Sequence, residues 1–348
     1  MCRDYSLLGR NGAAVSENGL ARANWYQTEI SRKSFAALMK TSDGPAIRDT
    51  VILLATMAGL ATMAGLLYTS WYSLPFFLAY GVLYGSAMDS RWHECGHKTA
   101  FKTRWMNDVV YQIACFCMIR NPHTWRWSHA RHHTDTIIVG RDPEIQLMRP
   151  PQLAKLIANF LGLIDVPMGL RLMLINAFGK LDPQEKTYIP ESEHHKVIRV
   201  ARLWILIYAV TIVVAVIMHS WLPLLLIGTP RFYGAWHHMM TGMLQHGGLA
   251  DNVTDHRLNT RTVMMNPVSR FIYWNMNYHL EHHMYPKVPY HALPALHKLV
   301  RHDLPLPSPS ILAGFVEMWP ALIRQLRNEN YFVKRSLPES ATPYRELP

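Results

Sequence analysis

Two long segments of this 348-residue chain contain neither lysine nor arginine, and both are strongly apolar. They cover residues 51–90 and 203–230, while all 35 Lys and Arg residues lie elsewhere. A bilayer core of about 30 Å needs about 20 apolar residues in one helix, and basic residues collect in the cytosolic loops beside such helices. The pattern therefore predicts an integral membrane protein and makes buried helices of a soluble protein the weaker interpretation.

Each apolar segment is divided by a tight turn that contains aromatic residues, which predicts two transmembrane hairpins in an all-α, multi-pass protein. The four expected spans are residues 51–70, 73–90, 203–218 and 221–240. Arg231 is the least regular feature of this arrangement. It either extends its long side chain to the cytosolic boundary or belongs to a helix that continues into protein.

The hairpins assign the rest of the chain to the cytosolic side, which in a bacterium would be the inner face of the inner membrane. Residues 1–50 form an N-terminal segment, residues 91–200 and 241–300 form a helical cap, and residues 301–348 form a C-terminal helix and tail. The membrane domain as a whole is expected to cover residues 51–300. At 1.5 Å per residue, helices starting at Ser73 and Leu222 would carry His97 and His246 about 36 Å, just beyond the hydrocarbon.

Three histidine motifs lie beside these spans, at residues 93–97 (HECGH), 129–133 (HARHH) and 279–283 (HLEHH). Residues at i, i+3 and i+4 share one helical face, so each motif presents its imidazoles together. Zinc uses four ligands in structural sites and three in catalytic sites, so eight imidazoles indicate two metals. The candidate ligands are His93, His97, His129, His132, His133, His279, His282 and His283.

The other histidines are weaker candidates. The expected depth of His246 makes it a ninth possible ligand, and His123, His237 and His238 remain less favoured ones. We interpret a further set as structural or facing solvent: His194, His195, His219, His256, His291, His297 and His302.

Carboxylates beside the motifs could hold the imidazoles in place. Glu94, Asp135 and Glu281 are adjacent to candidate ligands and could accept the second ring N–H of an imidazole, which would fix its tautomer and orientation. The alternative is that these carboxylates pair with Arg126 or Arg131.

The net charge of +11 and a pI near 9.5 would fit either a nucleic acid or an anionic membrane as partner. Because the basic residues avoid the apolar segments, we favour the membrane and expect no nucleic acid partner. The basic residues Arg141, Lys155, Arg257 and Arg261 could steer an acidic electron donor to the cytosolic face or contact anionic lipid headgroups.

The order and spacing of the three motifs resemble the membrane fatty acid desaturase and hydroxylase superfamily over residues 71–294. The second motif, preceded by Trp-Arg-Trp-Ser and followed by Asp142-Pro143-Glu144, is most similar to the acyl-lipid desaturase branch, as is the third motif within HLEHHMYP. The resemblance implies four transmembrane helices beneath a cytosolic cap and a non-haem di-iron centre. It also implies an additional histidine ligand that matches His246, and an asparagine near the metals, for which Asn275 and Asn277 are candidates.

The resemblance implies an oxidoreductase that uses dioxygen and two electrons to place a double bond in a fatty acyl or lipid-like chain. Imidazole binds several metals, so iron follows from the redox chemistry that a C–H bond requires rather than from the ligands. Hydroxylation at the same site remains an alternative, as does desaturation of a carotenoid or of a small amino-acid-like metabolite of the rhizobitoxine-precursor type. A membrane metal transporter or metal-binding protein is the alternative from another class.

The electrons are expected to come from a separate protein. The chain has no HPGG haem motif, no clustered cysteines for an iron–sulfur centre and no GxGxxG nucleotide fingerprint. The expected donor is therefore a ferredoxin, or cytochrome b5 with its reductase.

Overall fold

The structure, a computed structural model, describes residues 3–12, 20 and 24–345. Within these residues the regular elements are helices, and extended backbone pairs only at two isolated bridges, Thr262 with Tyr278 and Val263 with Ser308. The all-α prediction is confirmed for this part of the chain. Some residues of the predicted N-terminal segment 1–50 and C-terminal tail 301–348 lie outside the described ranges.

The first half of the chain folds into eight helices among the described residues. They are α1 (Arg32–Leu38), α2 (Asp43–Leu66), α3 (Leu74–Val82), α4 (Met88–Gly96), α5 (Arg104–Met118), α6 (Pro122–Thr134), α7 (Leu153–Asn159) and α8 (Asp165–Ala177). A π-helical segment, Leu83–Ala87, joins α3 to α4.

The second half contributes nine more helices among the described residues. They are α9 (Glu191–Ile217), α10 (Leu222–Leu226), α11 (Pro230–Gly234), α12 (Trp236–His246), α13 (His256–Asn259), α14 (Pro267–Ile272), α15 (His279–Met284), α16 (Leu293–Val300) and α17 (Ile311–Gln325). Short 3-10 turns also occur, at Trp71–Ser73, Glu185–Thr187, Tyr290–Ala292 and Arg301–Asp303.

Within the part of the chain that the structure describes, two helical segments are long and apolar enough to cross a membrane: Arg32–Leu66, which contains α1 and α2, and Glu191–Ile217, which is α9. Large aliphatic side chains are exposed on both, including Val51 at 58% and Ile217 at 72%. Removing apolar surface from water is favourable by about 25 cal/mol per Å². Continuous exposed apolar faces therefore mark surfaces that contact a partner or lipid. Both segments begin before the predicted spans, at the polar residues that precede the apolar ones.

The fourth predicted span is not one helix. The expected unbroken path from Leu222 to His246 is wrong, because α10, α11 and α12 follow one another with breaks around Gly228 and Ala235. Pro230 has no backbone N–H and cannot continue the preceding helix. The corresponding path from Ser73 towards His97 is helical but passes through the π segment, where the helix takes an extra residue per turn.

Two glycines bring α3 and α11 into backbone contact. A Cβ atom on Gly234 would lie 1.8 Å from the carbonyl oxygen of Gly81, where no atom fits. Beside this contact, the Ser86 hydroxyl donates to the Gly234 carbonyl at 2.6 Å and accepts the backbone N–H of His238 at 2.8 Å. The crossing places the start of α12 directly against the π segment.

Arg231 lies inside the protein, which agrees with the second of its two expected positions. Its side chain is 2% exposed, donates to the Gly85 carbonyl at 2.7 Å and lies 3.6 Å from the Asp165 carboxylate. A buried guanidinium needs such partners, because an unpaired charge away from water is strongly unfavourable.

The expectation that Arg257 and Arg261 form part of an exposed basic face is wrong. Arg257 is fully buried, 2.7 Å from Asp255 and 3.0 Å from Asp303, with its guanidinium 3.7 Å from the ring centre of Tyr26. The Arg261 side chain is also fully buried. Arg261 pairs with Glu317 at 2.8 Å, Arg141 pairs with Asp135 at 3.3 Å, and Lys155 is exposed. The two buried arginines therefore stabilise the cap and cannot steer a protein partner.

Candidate metal centre

Nine histidines gather in two adjoining groups, and they are the nine candidates that the sequence indicates. Within each group, one ring nitrogen from every member lies within 4.8 Å of the others. The first group contains His93, His97, His129, His133 and His282. The second group contains His132, His246, His279 and His283.

Two short helices supply both groups. On α6, His129 and His133 face the first group because they are one turn apart, while His132 faces the second. On α15 the order is reversed, since His282 joins the first group and its neighbours His279 and His283 join the second. The remaining members come from the C-terminal ends of α4 and α12.

The ring nitrogens approach one another closely. Nε2 of His129 lies 3.0 Å from Nε2 of His97 and 3.1 Å from Nε2 of His133, which in turn lies 3.2 Å from Nε2 of His282. In the second group, Nε2 of His283 and His279 are 3.0 Å apart. Two nitrogens bound at right angles to one ion, each about 2.1 Å away, would be about 3.0 Å apart. The spacing within both groups fits this arrangement.

Four of the imidazoles are oriented through Nδ1. His129 donates to Glu144 at 3.1 Å, His132 to Asp142 at 2.8 Å, and His246 to the Asn259 carbonyl at 2.7 Å. Nδ1 of His283 lies 3.2 Å from the Thr136 hydroxyl, which donates its own proton to a backbone carbonyl and is free to accept. With the proton held on Nδ1, each Nε2 keeps its lone pair for a metal.

Burial keeps most of these rings neutral, as metal ligation requires. It lowers the pKa of His129 well below the usual value and that of His246 to about 3. Burial acts in the same direction on His132, but the negative charge and hydrogen bond of Asp142 outweigh it and raise the pKa of His132. Such a carboxylate makes the imidazole a stronger donor to a metal.

Several buried ring nitrogens have no protein partner. Neither nitrogen of His93 forms a hydrogen bond, and Nε2 of His246 also lacks a partner. An unsatisfied buried polar atom costs about 1–3 kcal/mol, so a cluster of them is unfavourable unless something binds there. The donor set fits a pair of transition metal ions, and imidazole accommodates iron among them.

The three carboxylates expected to orient the ligands do not contact them. Glu94 accepts the Thr99 hydroxyl and the Tyr290 backbone N–H, and burial raises its pKa to about 7. Asp135 pairs with Arg131 at 2.9 Å, the alternative considered above. Glu281 accepts the hydroxyl of Thr262 at 2.6 Å and contacts Nδ1 of His297. The three carboxylates therefore bind other neighbours, and their partners do not include any of the nine clustered histidines.

The two candidate asparagines differ. Asn275 has a left-handed φ of 58°. Its side-chain oxygen accepts from Arg270 and its side-chain N–H donates to the Tyr290 carbonyl, so both polar groups of the side chain already have protein partners. Asn277 donates to the Val263 carbonyl, while its Oδ1 is buried without a partner. Asn277 therefore keeps a free acceptor two residues before the third motif.

The weaker histidine candidates lie outside both groups. His123 pairs with Glu193 at 3.3 Å, His237 lies 3.2 Å from the Ser269 hydroxyl, and His238 pairs with Asp89 at 3.0 Å. His256 is buried between the rings of Trp25 and His283, a structural position.

Asp142 and Glu144 are the orienting residues that sequence reasoning did not assign. Asp142 is held by the backbone N–H groups of Ile137 and Glu144, and Glu144 also accepts the Ser128 hydroxyl at 2.8 Å. Both follow α6 in a turn that folds back along the helix. The sequence feature that could have indicated them is Asp-Pro-Glu, which begins nine residues after the second motif. Helical spacing does not predict that these carboxylates contact the histidines, because they lie beyond the end of α6.

One cavity borders the histidines, and a second cavity adjoins the first. A narrow one of about 80 Å³ is bordered by His93, His129 and His246. A wider one of about 600 Å³ extends towards α8. Arg120 and Trp125 line both cavities. The shared walls place the wide cavity next to the narrow one that borders the candidate metal centre.

Nine buried or partly buried histidines in two groups beside a cavity make this a helical protein with a histidine cluster that could bind metal. The family model described as "Fatty acid desaturase" matches residues 69–313, which include all nine histidines. The chain belongs to this fatty acid desaturase family.

Curated relatives are similar to the chain over part of their length. An sn-1 oleoyl-lipid 12-desaturase of Synechocystis sp. is 35% identical over 88 residues, 24% of each chain. A soybean (Glycine max) omega-6 fatty acid desaturase of the endoplasmic reticulum is 31% identical over 107 residues, 30% of this chain and 27% of the relative. An sn-1 acyl-lipid omega-3 desaturase (ferredoxin) of Nostoc sp. is 33% identical over 85 residues, 22% of this chain and 23% of the relative. The aligned regions thus span about a quarter of these relatives.

Proposed function

We propose that this protein is a membrane-bound oxidoreductase that uses dioxygen to introduce a carbon–carbon double bond into a fatty acyl or lipid-like chain. The observation that carries the proposal is the convergence of nine histidines into groups of five and four beside a cavity. Membership of the fatty acid desaturase family and the desaturase relatives support the same reaction.

Two iron ions would be held by the two histidine groups and would supply the redox chemistry that activates dioxygen. The overall reaction removes one hydrogen from each of two adjacent carbons and, with two external electrons and two protons, reduces dioxygen to two waters. Asp142 and Glu144 hold His132 and His129 in the tautomer that presents Nε2 inward. The burial of the histidines excludes bulk water, which protects the reacting groups from side reactions.

Electrons would arrive from a separate donor, a ferredoxin or cytochrome b5 with its reductase. The name of the Nostoc relative includes ferredoxin, which supports the first of these donors. The two buried arginines exclude one expected docking surface, so the donor would have to use other exposed residues such as Lys155.

We propose that four spans place the candidate centre on the cytosolic side, with the breaks in α10–α12 forming part of the fourth. The test introduces single cysteines at the exposed turn residues Trp71 and Trp221 and, as the matched cytosolic control, at Lys298. In intact cells, a membrane-impermeant maleimide should label positions 71 and 221, whereas position 298 should react only after permeabilisation. Labelling of 71 and 221 from opposite sides would overturn the hairpin topology.

A second substrate class is favoured by the polar walls of the narrow cavity. Asp89, Gln146 and Gln245 line it together with hydrophobic residues. A saturated chain cannot hydrogen-bond to such groups, whereas a small amino-acid-like molecule could use the hydrogen-bonding capacity that Asp89 and Gln245 do not already share with their protein neighbours. Desaturation of such a metabolite is therefore the alternative within the same chemistry.

The function is tested on purified protein in lipid, loaded with iron and supplied with reduced ferredoxin. We expect two irons per chain and oxygen consumption that depends on the reductant. Metabolite and lipid profiles of cells with and without the gene should reveal a product that has lost two hydrogens. A product that gains one oxygen instead would assign hydroxylation, and bound zinc without turnover would favour a metal-binding protein or transporter.

A further inference from the structure

Arg120 occupies a sharp turn between α5 and α6, and α6 contributes residues to the walls of both cavities. Ile119 ends α5 with a left-handed φ of 56°, and the Asn121 side chain caps the first turn of α6 by accepting the His123 backbone N–H at 3.1 Å. The turn leaves little freedom for the backbone of Arg120. Its side chain is directed to the boundary between the narrow and the wide cavity.

Two tryptophans hold the guanidinium of Arg120. Its central carbon lies 4.0 Å from the ring centre of Trp125 and 5.8 Å from that of Trp92. The Trp92 ring in turn lies 5.2 Å from the ring of His129, a member of the first histidine group. A single aromatic ring therefore separates the positive charge from the candidate metal centre.

The N–H donors of this guanidinium are unused. The nearest carboxylate oxygens belong to Asp89 at 3.9 Å and Asp165 at 4.0 Å, beyond the 2.7–3.2 Å of a normal hydrogen bond. Asp89 already accepts from Trp92 at 2.8 Å and pairs with His238 at 3.0 Å. Among the hydrogen bonds of the described residues, none has the Arg120 guanidinium as donor.

The second arginine of the narrow cavity is different. Arg149 donates to Asp251, to the Glu329 carbonyl and to the Leu249 carbonyl, so its donors are committed to the protein. The side chain of Arg120 is 14% exposed, and the exposed part faces the cavities. A guanidinium carries five N–H donors in a planar arrangement that matches a carboxylate.

We propose that Arg120 is a specificity-determining residue that binds the carboxylate of the substrate at the boundary of the two cavities. The inference rests on the proposed function and narrows its substrate to a carboxylate-bearing molecule, whether a free fatty acid or an amino acid. With its carboxylate bound to Arg120, the substrate would extend its adjacent carbons past Trp92 towards the histidines. A neutral ester lipid would gain far less from a charged anchor.

The test measures binding, not turnover, through the fluorescence of Trp92 and Trp125, which contact Arg120. Iron-loaded protein in detergent is titrated with sodium oleate and with 2-aminohexanoic acid, and in parallel with their alcohols, oleyl alcohol and 2-aminohexan-1-ol. We expect at least one carboxylate to bind about 10-fold more tightly than its alcohol, the equivalent of about 1.4 kcal/mol. The acid that shows this preference identifies the source of the carboxylate.

Arg120→Gln should abolish the preference while leaving the affinity for the alcohol unchanged, and Arg120→Lys should restore part of it. The matched control is Arg171→Gln, which removes a guanidinium that lines only the wide cavity and is 58% exposed. Equal iron content in all variants verifies folding. Wild-type protein without any preference, or Arg120→Gln with the preference intact, would overturn the proposal and leave the proposed oxidation chemistry untouched.

Discussion

Replacing His133 with alanine is expected to remove most of the iron from the protein and to abolish its activity. Nε2 of His133 lies 3.1 Å from that of His129 and 3.2 Å from that of His282, at the centre of the first histidine group. Loss of a residue that only orients a ligand typically costs about 10–100-fold in metal affinity or activity, so loss of a ligand should cost at least about 100-fold. Iron per chain and reductant-dependent oxygen consumption measure the effect.

The control is His123→Ala, which removes an imidazole from the same helix but outside both groups. It should retain iron and activity. Asp142→Asn tests a smaller change, because it keeps the shape of the side chain but removes the negative charge next to His132. We expect it to weaken iron binding by about 10–100-fold. Full iron content in His133→Ala would refute the assignment of the first group.

Arg257→Met is expected to cause the largest loss of stability among the cap residues. The variant leaves Asp255 and Asp303 as buried carboxylates without their cation, and it removes the guanidinium between Tyr26 and Tyr344. Breaking a buried ion pair by removing one partner typically costs about 3–5 kcal/mol. The midpoint of thermal unfolding in detergent should fall by several degrees or more.

Arg345→Ala is the matched control, since this exposed arginine lies over the same Tyr26 ring at 5.6 Å. Exposed substitutions of this kind usually change stability by less than about 0.5 kcal/mol. An Arg257→Met protein that unfolds at the temperature of the control would show that the buried cluster contributes little to stability.

The helical class and the nine clustered histidines could be predicted because both depend on local spacing. Helix geometry alone places histidines at i, i+3 and i+4 on one side of a helix, so HxxHH predicts three neighbouring imidazoles. The same spacing does not predict that the three divide between two groups, as they do here. His246 followed from its distance along the chain, although the path to it is three helices and not the expected one. His246 nevertheless joins the second histidine group, because α12 ends beside it.

The tertiary partners could not be predicted in the same way. Asp142 and Glu144 reach the histidines through a turn that reverses the chain, whereas Glu94 and Glu281, although adjacent in sequence, point to Thr99 and Thr262. Neighbouring positions on a helix face different directions, so adjacency indicates little about contact. The positive charge of Arg257 did not predict whether its side chain is exposed or buried. Its burial depends on the pairing with Asp255 and Asp303, and Asp303 lies 46 residues away in the sequence.

The glycine pair at Gly81 and Gly234 has a mechanical consequence. The Gly234 backbone touches the Gly81 backbone, and the Tyr233 ring packs against Gly81, so this contact leaves no open space between the two helices. Neither a lipid tail nor a substrate can pass between α3 and α11 at this contact. Any side chain larger than hydrogen at Gly234 would push the two helices apart. The wide cavity is free of this constraint, because its walls are side chains that can change rotamer without separating the two helices.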